Sequence, residues 1–139
     1  MINTRPIIFI EDDMDDQELF KEILQDLAIP NIIRFFDNCL KAFDYLLTSI
    51  EKPLIIISDI NLPGMTGIEL REMINKNDEL RKKSTPFVFL STNPDKTLIS
   101  RAYELLIQGY FVKPTKLEEL KEMLGKIIGY WKFCHFPER

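Results

Sequence analysis

The sequence predicts an α/β fold, a doubly wound, five-stranded parallel sheet with five helices. Three observations carry that expectation. Short β-branched or aromatic runs alternate along the whole chain with segments of helical apolar spacing. Prolines stand where the runs begin. The 139 residues, 45% apolar and 29% charged, suit one domain with a core that needs no disulfide or structural metal.

In chain order, PIIFI (6–10) has the length and content of a buried strand, and Leu19, Ile23 and Leu27 follow at helical spacing. IIRFF (32–36) is the second strand, followed by a helix on Leu40, Phe43, Leu47 and Ile50. Pro53 opens LIIIS (54–58), and a third helix spans roughly 67–76 from Gly67. Pro86 opens PFVFL (86–90); Asn93 and Pro94 then read as an N-cap and first helical position for a helix on Leu98, Ala102, Leu105 and Leu106. YFVK (110–113) is a weaker fifth strand, and Leu117, Leu120, Leu124, Ile127 and Trp131 mark the last helix. Such alternation implies right-handed crossovers and a parallel sheet covered on both faces. No repeat, linker or low-complexity stretch interrupts it, so 1–139 is expected to be one domain, with a core of about 6–128 and an aromatic tail of about 129–139.

Asp and Glu outnumber Lys and Arg by 22 to 18, and no basic block occurs, which argues against direct nucleic-acid binding. The first apolar run, IIFI, is too short for a signal core or a membrane span, so a cytoplasmic protein without membrane insertion is expected. Cys39 and Cys134 lack metal-ligand spacing and read as free thiols.

In a doubly wound sheet the functional crevice lies outside the carboxyl ends of the strands. Those positions hold Glu11, Asp12 and Asp13 after the first strand, Asp59 after the third, Ser91 and Thr92 after the fourth, and Lys113 followed by Pro114 at the fifth. Carboxylates crowded at one sheet edge repel one another, and a hard divalent cation with oxygen ligands relieves that cost. Mg²⁺ suits such a site because it keeps several waters and leaves room for a phosphoryl oxygen. Taken singly the parts have plainer readings. The acidic run reads equally as a solvated helix start, and Asp13, Asp15 and Asp16 are expected to be one. Ser91 alone reads as a cap or strand-end hydroxyl, Lys113 as a surface charge, Tyr110 as a half-buried strand aromatic, and the glycines near Asp59 as turn residues.

Together, FIEDD, IIISDINLPGMTGIEL, VFLST and AYELLIQGYFVKP resemble the receiver-domain family of two-component signalling, from Pro6 to about Ile128. The ordered set D-x-x-L-P-x-M-x-G, L-S-T and K-P is the specific part. The resemblance implies a flavodoxin-like sheet of strand order 2-1-3-4-5. It implies Asp59 as phosphoacceptor, and Mg²⁺ or Mn²⁺ held by Asp12 and Asp59, by the Asn61 carbonyl, and by Glu11 through water. It also implies Ser91 as the hydroxyl that meets the phosphoryl group, Lys113 as the lysine that contacts acceptor and phosphoryl oxygen, and Tyr110 as the aromatic whose rotamer follows the switch. An aspartyl phosphate is an energetic, reversible anhydride suited to a timed signal, and its formation is mostly positioning and charge neutralisation. Pro63, Gly64 and Gly67 would shape the loop beside Asp59. Two departures stand out: Glu11 replaces the Asp common at the first acidic position, and Leu106-Ile107 replaces the usual Gly-Ala.

The chain ends soon after the last helix, so output is expected through protein contacts of a stand-alone regulator rather than through an output domain. The partners implied are a sensor histidine kinase or histidine phosphotransfer protein and an unidentified downstream protein. In the tail, Trp131 continues the apolar stripe, while Phe133 and Phe136 stay open between packing and a homodimer or partner contact. His135, the only histidine, sits there too, which argues against a phosphodonor within the chain. Two rivals remain: a receiver-like scaffold that is not phosphorylated, and an aspartyl-phosphate phosphohydrolase. The latter needs a second Asp where Asn61 stands.

Overall fold

Strands buried on both faces must be apolar, and the central strands here are, apart from Ser58 and Ser91, which close two of them at their carboxyl ends. The computed structural model describes residues 4–137. Strands β1 (Ile7–Ile10), β3 (Ile55–Ser58) and β4 (Phe87–Ser91) are buried along their whole length. The edge strands β2 (Ile33–Phe36) and β5 (Gly109–Val112) keep partly exposed side chains. All pairings are parallel in the order β2-β1-β3-β4-β5, as expected. The order reverses between β1 and β3, which opens the crevice at the carboxyl ends of those two strands.

Strand alternation divides the core into two layers. Ile8, Ile10, Ile56, Phe87 and Phe89 face α2 (Cys39–Thr48), α3 (Gly67–Lys76), α4 (Asp78–Lys83) and α5 (Lys96–Glu104). Ile7, Phe9, Ile55, Ile57, Val88 and Leu90 face α1 (Met14–Asp26) and α6 (Leu117–Phe133). Phe9 stacks on Phe20 of α1 with ring centroids 4.9 Å apart, which fixes α1 against the strand that carries the acidic run. Among the described residues no helix is long and apolar enough to cross a membrane.

The structure adds a sixth helix to the five expected. Its sequence, DELRKK, buries only Leu80 and so lacks an apolar stripe; Asn77 caps it and Asp78 pairs with Arg81 at 2.9 Å. The buried face of α2 also differs from the one expected. Cys39, Ala42 and Leu46 point inward, whereas Leu40 is 62% and Ile50 96% exposed. The apolar arc of α2 is broad and lies opposite Lys41, Asp44 and Thr48; Cys39, Ala42 and Leu46 meet the sheet, while Leu40 and Leu47 lie at the edge of the arc and stay exposed. Asn93 and Pro94 lie ahead of α5 rather than in it. The cap is Asp95, which accepts from Leu98 N at 2.9 Å, while Asn93 Oδ1 accepts from Asp95 N. Leu106 does not continue the helix: its φ is +63° and its side chain is 71% exposed.

Both cysteines are free, and burial pushes the Cys39 thiol up to about 12. In the tail Trp131 and Phe136 pack against the α1–α6 layer, and the Arg5 guanidinium lies 4.4 Å above the Phe136 ring. Phe133 stays 89% exposed. Residues 138 and 139 of the tail lie outside the described residues.

Candidate functional site

The acidic residues reach the crevice through backbone pairing that runs one residue past each strand. Glu11 N donates to Phe36 O at 2.9 Å, and Asp59 N donates to Ile10 O at 3.0 Å. Carboxylate oxygens of Glu11, Asp12 and Asp59 consequently lie within 4.8 Å of one another. Glu11 is buried, Asp59 half-buried and Asp12 exposed, so the cluster slopes from the sheet edge to the surface.

Local hydrogen bonds hold the first two in place. Glu11 Oε2 accepts from Asp13 N at 3.1 Å, and Gln17 Nε2 donates to Glu11 O at 2.6 Å. Asp59 Oδ1 accepts from Ile60 N at 2.7 Å, and Ser58 Oγ donates to the Asp59 carbonyl. Asp13 is the plain N-cap that the sequence suggests, accepting from Asp15 N and Asp16 N. The loop after Asp59 closes through Gly67 N, which donates to Ile60 O at 2.9 Å. A Cβ on Gly67 would overlap the Asp59 carbonyl and stand 2.7 Å from the Phe89 ring, so only glycine lets α3 start this close to the site.

Crowding shows in the electrostatics. Burial pushes the Glu11 carboxyl up to about 7, helped by Asp59 and Asp16 and opposed by the Asp13 N–H and by Lys113. Asp59 is raised as well, by burial first and by Asp12, against the N–H groups of Ile60 and Asn61 and the charge of Lys113. Such a set of hard oxygen donors, reluctant to ionise together, fits a divalent cation that takes the place of a bound proton.

The remaining expected residues sit on the neighbouring strand ends. Ser91 is buried, and its Oγ accepts from Asn93 N at 3.1 Å. Lys113 N donates to Ser91 O at 2.8 Å, which fixes the two residues side by side. Tyr110 is half-buried against Phe89, with ring centroids 6.2 Å apart, and its hydroxyl donates to the Asn93 carbonyl. Asn61 is exposed at the start of the loop beside Asp59.

Asp16, expected as part of a plain helix start, reaches Lys113. Asp16 Oδ2 lies 2.7 Å from Lys113 Nζ, so the ion pair of this lysine runs to α1 rather than to Asp59. Local spacing does not announce this pair: Asp16 lies in the first turn of α1, and only the fold brings that turn to Lys113 at the end of β5.

Comparison with known proteins bears on this arrangement. The family model described as response regulator receiver domain matches residues 7–125. Chemotaxis protein CheY-3 of Vibrio cholerae is 31% identical over 126 residues, covering 88% of this chain and 90% of that protein. Response regulator Rcp1 of Synechocystis sp. is 28% identical over 130 residues, covering 90% of this chain and 87% of that protein. The crystal structure of the Mn²⁺-bound form of Rcp1 matches with a TM-score of 0.84 at 26% identity, covering 96% of this chain and 99% of that one. That of the phosphorylated cyanobacterial phytochrome response regulator RcpA matches with a TM-score of 0.86 at 26% identity, with the same coverage.

Proposed function

The chain belongs to the response regulator receiver domain family, and we propose that it is a signalling switch in which Asp59 accepts a phosphoryl group from a histidine kinase or histidine phosphotransfer protein. The observation that carries this reading is the convergence of the Glu11, Asp12 and Asp59 carboxylates within 4.8 Å at adjoining strand ends. Ser91 and Lys113 stand together at the next two. The Mn²⁺-bound Rcp1 and phosphorylated RcpA structures support it by similarity.

Asp12 and Asp59, with the Asn61 carbonyl and with Glu11 through water, would hold Mg²⁺ or Mn²⁺. When bound, that cation supplies positive charge beside the acceptor and orients the incoming phosphoryl group. The chain's own groups do the rest. The Ile60 N–H orients the Asp59 carboxylate for in-line attack through its donation to Oδ1. The Asp59 oxygen forms the bond to phosphorus as the donor's nitrogen leaves. Ser91 accepts from Asn93 N and retains one O–H to donate to a phosphoryl oxygen. Lys113 neutralises the charge that accumulates there.

Output then passes through the face of α5, β5 and α6, where Tyr110 sits, to a downstream protein. The reading places the protein in the cytoplasm as a single domain that works by protein contacts rather than by turnover of a substrate. Intact-mass spectrometry after incubation with acetyl phosphate and Mg²⁺ tests it. A single labile phosphoryl adduct is expected in the native chain and absent from Asp59→Asn and from a magnesium-free control. An adduct that survives Asp59→Asn would contradict it.

A further inference from the structure

An ammonium group and a divalent cation compete for the same carboxylate oxygens, and Lys113 stands close enough to the acidic cluster for its charge to act on both Glu11 and Asp59. Coulombic attraction alone would draw it in among three carboxylates. Its ion pair nevertheless runs to Asp16, at 2.7 Å. Three features build that alternative berth. The backbone of Lys113 is fixed by its N–H on Ser91 O, so only the side chain chooses direction. Its ammonium rests 5.4 Å from the centroid of the Phe20 ring on α1. Asp16 lies in the first turn of α1, where the helix dipole favours a carboxylate. With side-chain exposures of 16% for Lys113 and 31% for Asp16, the pair is better shielded than an ordinary surface bridge.

We propose that Asp16 is a positioning residue that berths the Lys113 ammonium away from Glu11, Asp12 and Asp59. It thereby keeps the cluster open to a divalent cation and yields the ammonium to the phosphoryl group on Asp59. A phosphoryl group carries about −1.5 to −2 charges and several acceptor oxygens, so it outcompetes a single carboxylate for the lysine. Before phosphorylation the berth separates the two positive charges that the site needs at different stages. The inference rests on the cation-dependent phosphoacceptor reading given above.

The test is a Mn²⁺ titration of the unphosphorylated full chain, free Mn²⁺ being read by electron paramagnetic resonance. Four proteins form a double-mutant cycle: native, Asp16→Asn, Lys113→Met and the double variant. Loss of the berth should weaken Mn²⁺ binding about fivefold or more in the native background, because the freed ammonium moves onto the cluster. With Lys113→Met already present, Asp16→Asn should cost about twofold or less, the effect of its own charge alone. Asp16→Glu should keep the native affinity. Equal losses in both backgrounds, or no loss in the native one, would overturn the proposal while leaving the cation site intact. A native chain that binds no Mn²⁺ would overturn the cation-site reading and this proposal together.

Discussion

The Tyr110 hydroxyl donates to the carbonyl of Asn93, the residue whose own N–H donates to Ser91 Oγ. One peptide segment therefore joins the hydroxyl of Ser91, beside the proposed phosphoacceptor, to the aromatic residue on β5. Tyr110→Phe removes one anchor of that segment and should cost about 1 kcal/mol, which lowers Tm by roughly 2–8 °C for a domain of this size. The amide of Asn93 should exchange faster with deuterium in the variant. An unchanged exchange rate at Asn93 would show that the segment is held by something other than Tyr110.

Gly67 and Gly64 make a controlled pair. A Cβ at Gly67 meets the Asp59 carbonyl and the Phe89 ring, whereas one at Gly64 meets nothing within 4 Å but suffers a φ of +78°. Gly67→Ala should destabilise by about 1–3 kcal/mol through overpacking and slow phosphorylation by acetyl phosphate, because Asp59 moves. Gly64→Ala should cost about 1–2 kcal/mol of backbone strain and leave the phosphorylation rate nearly native. Denaturant unfolding and the rate of adduct formation separate the two; equal loss of rate in both would count against the packing argument.

Stability should fall as pH rises in the absence of divalent cations. Glu11 holds its proton in the folded chain up to about 7, above the ordinary 4.5, so across that window the native state binds more protons than the unfolded one. Asp59 shifts in the same direction. Urea unfolding in EDTA should give a lower stability at about pH 8 than at about pH 5, and Glu11→Gln should remove much of that slope. Millimolar Mg²⁺ should flatten it, since the cation replaces the proton as neutraliser. A flat or rising profile in EDTA would contradict the assignment.

Leu106 occupies a left-handed position, φ +63°, just past the end of α5, and leaves its side chain 71% exposed. The backbone is held there by Arg71, which donates to the carbonyls of Leu105 and Leu106, and by Asn75, which donates to Leu105 O. Glycine is the natural residue at such a position. Leu106→Gly should stabilise the protein by up to about 1 kcal/mol, visible as a higher Tm. A lower Tm would mean that the leucine side chain contributes packing that its exposure hides.

The strands and the acidic cluster were legible because their determinants are local. Runs such as IIFI and IIIS are too short for a buried helix and rich in β-branched residues, and in a doubly wound sheet the first residues beyond them fall in the crevice. The misses came where local patterns are ambiguous. The residues of α2 offer a broad apolar arc, and only packing against the sheet selects Cys39, Ala42 and Leu46. The helix Asp78–Lys83 is held by caps and an ion pair instead of a stripe. Asp16 shows in the sequence only as part of a helix start, because its partner, Lys113, is distant in sequence and pairing across that separation is set by the fold.

The central claim is that Asp59, and no other carboxylate, takes the phosphoryl group. Borohydride reduces an aspartyl phosphate to homoserine, so the most direct measurement is peptide mapping by mass spectrometry after phosphorylation in Mg²⁺ and borohydride treatment. The account predicts homoserine at position 59 only, and none when Mg²⁺ is withheld. Homoserine at Asp12 or another carboxylate, with position 59 unmodified in a chain that carries the adduct, would contradict it.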